Sequence, residues 1–204
     1  MLVFKIAFIG LLFTLATASL QSRARQNFNC DEILNRQIAK EFEASQIYLS
    51  LASYMSHDRV ALEGFSKMFK HSWKEELEHA QKLIEYGITR GASIETPSVP
   101  KPDDSKWLGM NACQIVEFVL NLEKKVNEHL LKVHQCGDVK SDPQMQDFIE
   151  GEYLKEQVEA NKELSDLLSR LERATLHLNS DGSKVAMCDG LGLHHIDQEL
   201  AKKF

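Results

Sequence analysis

Proline, strand signals and long apolar runs are all scarce in this chain, and each shortage narrows what it can be. Only four prolines occur in 204 residues, and three of them fall between Gly91 and Gly109, so the remainder is free to form long unbroken helices. Apolar and polar residues hardly ever alternate, which argues against sheets. No apolar run reaches the roughly 20 residues that a bilayer span needs. Basic residues are outnumbered, 24 Lys and Arg against 30 Asp and Glu, for a net charge of −6. Without a basic stripe to neutralise phosphates, neither nucleic acid nor an anionic membrane is expected as a partner. There is no C-x-x-C pair to hold zinc through thiolates and no N-x-S/T sequon. With 43% hydrophobic and 26% charged residues, the composition is that of one globular core and excludes a disordered chain.

What is present begins with MLVFKIAFIGLLFTLATASL. Lys5, the apolar run Ile6 to Leu15 and the small residues Ala16 and Ala18 have the pattern of a secretory signal peptide, residues 1–18, cleaved after Ala18 to leave one domain over 19–204. Export would place Cys30, Cys113, Cys136 and Cys188 in an oxidising route. Four cysteines so widely spread are too few for a disulfide framework. Cys113, on an apolar helix face, reads as a small core residue, and Cys30 as the better candidate for a bridge to another subunit.

Apolar residues recur at steps of three and four in four long stretches, which makes the chain all-α. Helix A is expected from Asp31 to Ser56 and helix B from Ala61 to Arg90, with Gly91 as its stop. Residues 91–109 then form a long crossover. Helix C is expected from Asn111 to Gln135, broken by Gly137 and Asp138, and helix D from near Ser141, with Asp142 and Pro143 as its start signal, to His177. A turn at Asn179 to Gly182 leads to a short amphipathic fifth helix within Val185 to Lys202.

The polar residues decide what such a bundle is for. In helix B the core stripe reads Leu62, Phe65, Phe69, Ser72, Glu76, His79, Leu83, Tyr86, so Glu76 and His79 of the segment KEELEHA point inward, while Glu75 and Glu78 flank the stripe. Helix A repeats Leu34, Glu41, Tyr48 and Met55 every seven residues. Helix C offers Glu123 and helix D offers Gln157 on equivalent stripes. A single glutamate on a helix is usually solvated, and a lone inward histidine is usually a satisfied core residue. Three inward carboxylates with no Lys or Arg on the same stripes are different, because unpaired burial is costly and a divalent cation relieves it. Oxygen ligands with one imidazole suit iron or manganese, and zinc also fits. Glu76-x-x-His79 is one complete Glu-x-x-His ligand motif, whereas helix D has Gln157-x-x-Ala160 where a second would stand. One metal position is therefore expected to be the weaker.

These segments, NRQIAKEFEASQIYLS, KEELEHAQKL, LNLEKKVNEHLL and DFIEGEYLKEQV, occur in order, and through them the chain from about residue 28 to 202 resembles a ferritin subunit of the heavy-chain type. The resemblance implies a ferritin-like four-helix bundle with a long B–C crossover and a short fifth helix, assembled into a shell of 24 subunits, either as a homo-oligomer or mixed with another subunit. It implies that Glu41, Glu76, His79 and Glu123 are ferroxidase ligands to iron, with Glu76 bridging two ions. Tyr48 and Gln157 support them, Gln157 being counted among the metal-binding residues and Tyr48 bonding to Glu123. Asp147 and Glu150 would line the three-fold iron-entry channel, and Glu75 and Glu78 would nucleate mineral. The activity implied is oxidation of Fe(II) by dioxygen and storage of Fe(III). Gln81 stands where heavy chains often carry a further acid, and the signal peptide resembles secreted ferritins of invertebrates. Two other readings are an iron-binding shell component without catalysis and a helical signalling factor. The complete ligand set disfavours the first, and buried carboxylates without cationic partners disfavour the second.

Overall fold

The computed structural model of the chain describes residues 22–204, so the export segment expected at 1–18 lies outside the described residues. Four long helical arms form the body: α1 (Asp31–Met55), α2 (Glu63–Arg90), α3 (Ala112–Val139), and a fourth arm made of α4 (Pro143–Ile149), a π-helical stretch (Glu150–Leu154) and α5 (Lys155–Ala174). No helix among the described residues is long and apolar enough to cross a membrane.

Side-chain contacts fix the directions. Leu34 lies beside Gly87 and Ser66 bonds to the Ala52 carbonyl, so α1 and α2 run antiparallel. Gly137 approaches Gln146 while Glu123 meets Gln157, so α3 and the fourth arm also run antiparallel. Residues 92–111 carry the chain the length of the bundle along α1. Asn35 bonds to both Ser93 and Glu95 near one end, and Ser50 bonds to Asp104 near the other.

The helix ends follow from local chemistry. Gly91 closes α2 at φ 71°, a left-handed conformation that costs glycine little. Asn111 and Gln114 form a reciprocal capping box on α3, and Asp142 caps α4 with Pro143 in its first turn. Leu62 offers α2 no side-chain cap. Instead Asp197, buried on α6 (Gly190–Lys203), accepts the Phe65 N–H at 3.1 Å. This contact requires Gly64, where a Cβ would lie 1.9 Å from the Asp197 carbonyl oxygen.

Three expectations are corrected. Helix α3 does not break at Gly137 but runs on to Val139, because that glycine is a packing residue whose Cβ would crowd Gln146, at 3.1 Å from its Cγ. The reversal comes at Ser141, at φ 55°. After α5 the chain forms a small antiparallel hairpin, β1 (Leu176–Leu178) with β2 (Lys184–Ala186), and α6 starts only at Gly190. The cysteines are all paired within the chain. Cys30 joins Cys136 across the ends of α1 and α3, so it does not bridge to another subunit. Cys113 is no free core thiol but ties the start of α3 to Cys188 after the hairpin. Both pairs arise from helix directions that no local spacing encodes.

The core lies in two apolar clusters. One centres on Leu51, Phe65, Phe69, Trp107 and Val119, the other on Phe28, Leu34, Leu83, Leu130 and Ile149. A layer of buried polar side chains separates them.

Candidate metal centre

Each long helix sends polar side chains into this layer from near its middle. Glu41, Glu76, His79, Glu123 and Gln157 are all buried, and so is Tyr48, as the inward stripes require. Glu41, Glu76 and His79 come together, each offering one ligand atom within 4.8 Å of the others. Gln37, one turn before Glu41, donates to a Glu41 oxygen at 2.8 Å, and the other oxygen, Oε2, has no partner. Glu76 Oε2 is likewise unpartnered. Two orphaned carboxylate oxygens beside an imidazole form a donor set that a divalent cation satisfies, since buried polar atoms are otherwise almost always hydrogen-bonded.

The electrostatics agree. Burial, with the charge of Glu76 beside it, pushes the Glu41 carboxyl well above its usual range. Burial and the nearby Glu123 do the same to Glu76. Burial also raises Glu123, even though it accepts hydrogen bonds from Tyr48 and Gln157 that favour its charged form. Tyr48 is itself pushed up by burial and by the charge of Glu123, so the phenol keeps its proton and acts as a donor.

Glu123 stands to one side of the three-residue cluster. Its Oε1 takes the Tyr48 hydroxyl, as expected, and its Oε2 takes the Gln157 Nε2 at 2.9 Å. Gln157 thus meets Glu123 through its amide Nε2 and supports that carboxylate.

Glu156 and Gln37 were not identified from the sequence. His79 Nε2 lies 3.2 Å from Glu156. Burial alone would lower the imidazole pKa, but the Glu156 bond and the charge of Glu41 outweigh it and raise the value. The same bond lowers Glu156. With Nε2 engaged, Nδ1 remains on the side of Glu76, whose Oε2 is 3.7 Å away. Glu156 adjoins Gln157 off the apolar stripe, where periodicity gives no signal; Gln37 is a register neighbour of Glu41, four residues earlier on the same face.

A cleft of about 660 Å³ between α2 and α5 opens onto the centre, with Glu75, Glu156, Glu159 and Glu163 among its walls. Glu75 is half-buried there and pairs with His71 at 3.0 Å. Glu78 is solvent-exposed and outside the cleft, so the two expected nucleation residues are in different settings. Asp147 and Glu150 are exposed on the fourth arm, far along it from the centre, and Glu150 takes a bond from His134 at 2.6 Å.

Residues 31–174 match the family model of the ferritin-like domain. The chain is 46% identical over 155 residues to the soma ferritin of Lymnaea stagnalis, covering 74% of this chain and 87% of the relative. It is 43% identical over 156 residues to the lower-subunit ferritin of Aquarana catesbeiana, covering 76% and 89%. To the chloroplastic ferritin of Malus baccata var. xiaojinensis it is 42% identical over 189 residues, covering 90% and 70%. With a match of this extent, and a buried Glu-Glu-His cluster at the middle of the bundle, the chain belongs to the ferritin family of iron-storage proteins.

Proposed function

We propose that this chain is a ferroxidase subunit: it binds Fe(II) at the buried centre, where dioxygen accepts the electrons, and delivers Fe(III) to mineral inside a shell of 24 subunits. The observation that carries the reading is the pair of unpartnered oxygens, Glu41 Oε2 and Glu76 Oε2, beside His79. Glu41 and His79 would hold one iron, Glu123 the second, and Glu76 both. Anionic oxygen ligands favour the higher oxidation state, so the same donors that bind Fe(II) lower the barrier to losing an electron. Tyr48 and Gln157 fix the Glu123 carboxylate, and Glu156 fixes the imidazole, so the donors are positioned before the substrate iron arrives. Glu75 and Glu78 on α2 would receive the product. Asp147 and Glu150, repeated around a three-fold axis, would concentrate cations at the entrance.

The shell would be exported after removal of residues 1–18. Two closed disulfides support this, because such bonds persist in oxidising compartments. N-terminal sequencing of mature protein should begin after Ala18.

The catalytic reading is tested by Glu76→Ala with His79→Ala, which removes the bridging carboxylate and the imidazole together. Initial Fe(II) oxidation in air should collapse while particle size is kept. Oxidation at the wild-type rate would end the reading.

A further inference from the structure

Asn161 sits on α5 one turn after Gln157, and its side chain reaches back toward that residue. Its Nδ2 donates to the Gln157 main-chain carbonyl at 2.8 Å and to the Gln157 side-chain Oε1 at 3.2 Å. A main-chain carbonyl only accepts, so the Asn161 amide must present its N–H2 here. The group receiving the second bond must then be the Gln157 oxygen. At the other end of the same side chain, Gln157 Nε2 meets Glu123 Oε2 at 2.9 Å. Asn161 thus sets the orientation of Gln157 from within the same helix.

Asn161 is a poor choice for the bundle itself. Asparagine is unfavourable in a helix interior, and its own Oδ1 is buried without a hydrogen-bond partner. A leucine on this face would carry neither penalty. What asparagine supplies here, and leucine could not, is the donor that turns the Gln157 oxygen away from the polar layer.

We propose that Asn161 is a positioning residue that keeps Gln157 as a hydrogen-bond donor to Glu123 and so withholds an oxygen ligand from the metal position on the Glu123 side. That position stays one donor short, which suits an ion that must leave after oxidation. This rests on the two-metal reading of the centre.

The test uses assembled, metal-free protein and Co(II), which reports affinity and coordination number through its visible bands without turnover. Wild type should take up two Co(II) per subunit in unequal steps. In N161L the amide of Gln157 is released, its oxygen can turn to the ion, and the weaker step should tighten about tenfold with a weaker visible band as the coordination number rises. N161A should behave alike. Thermal stability of metal-free N161L should equal or exceed wild type, whereas a structural role requires a loss. In the double variant N161L/Q157L no amide remains to turn, and the tightening should vanish. Wild-type Co(II) binding in N161L and N161A overturns the proposal, as does tightening that survives in the double variant, or failure of both single variants to assemble. Two Co(II) in wild type that are lost in Glu76→Gln, with N161L unchanged, would remove this proposal alone. Equal Co(II) uptake by wild type and Glu76→Gln would remove the two-metal reading and this proposal with it.

Discussion

Replacing Glu41 by glutamine separates what the centre does for a cation from what it does for the bundle. In the metal-free chain Glu41 is fully buried, with Gln37 donating to one oxygen and no donor on the other, which lies beside the Glu76 carboxyl. Burial and Glu76 hold its folded-state pKa well above the usual range, while the unfolded chain ionises it near about 4.3. Because the folded value is the higher one, the stabilising contribution is complete below about pH 4.3 and is lost as the pH rises through the folded value. Each unit of separation corresponds to about 1.4 kcal/mol, and an unsatisfied buried polar group costs about 1–3 kcal/mol. Glutamine keeps the shape, can accept from Gln37, does not titrate, and brings an N–H2 toward the unpartnered Glu76 oxygen. Metal-free E41Q should therefore exceed wild type by about 1–3 kcal/mol near neutral pH, and the difference should shrink toward zero near about pH 4. Urea midpoints across that range measure it. Zn(II) should reverse the order, since a ligand at about 100 times its Kd adds about 2.7 kcal/mol to whichever protein binds it. A metal-free E41Q that is less stable at neutral pH, or that gains as much from Zn(II) as wild type, would refute the reasoning.

Two further predictions concern parts outside the centre. Changing Cys113 and Cys188 to serine opens a link across 75 residues, for which chain entropy predicts a loss of about 4 kcal/mol; hydrogen exchange should locate the early loss of protection in residues 175–189, and an unchanged urea midpoint would contradict it. Asp147→Ala with Glu150→Ala should slow Fe(II) oxidation by the assembled shell at limiting iron. The centre should still bind Co(II) normally, and unchanged oxidation would remove these residues from the entry route.

How much of this was legible in the sequence depends on the kind of information involved. The inward direction of Glu41, Glu76, His79 and Glu123 was readable because helical periodicity is local, and each is buried where its stripe places it. The donor role of Gln157 was not, because it depends on Asn161 beside it and Glu123 across the layer. Glu156 was hidden for a related reason: it lies off the apolar stripe, and only the antiparallel crossing of α2 and α5 brings it to His79. The cysteine pairs and the Asp197 cap on α2 likewise join elements 75 or more residues apart. Gly137 misled because a glycine that permits close helix packing looks the same in sequence as one that ends a helix.

The position of the polar layer ties stability to chemistry. Glu41, Glu76 and Glu123 lie near the middles of helices 25 to 28 residues long, between two apolar clusters and as far from the helix ends as the fold allows. There the dehydration of a carboxylate is most severe, which is why burial is the leading cause raising all three. A raised carboxyl pKa favours the protonated form, so uptake of a cation at this centre is coupled to release of protons. The apolar clusters on either side, stapled by the two disulfides, supply the stability that the layer withholds. A bundle built only for stability would fill the layer with leucine; this one keeps an acidic layer whose cost is relieved when a cation binds.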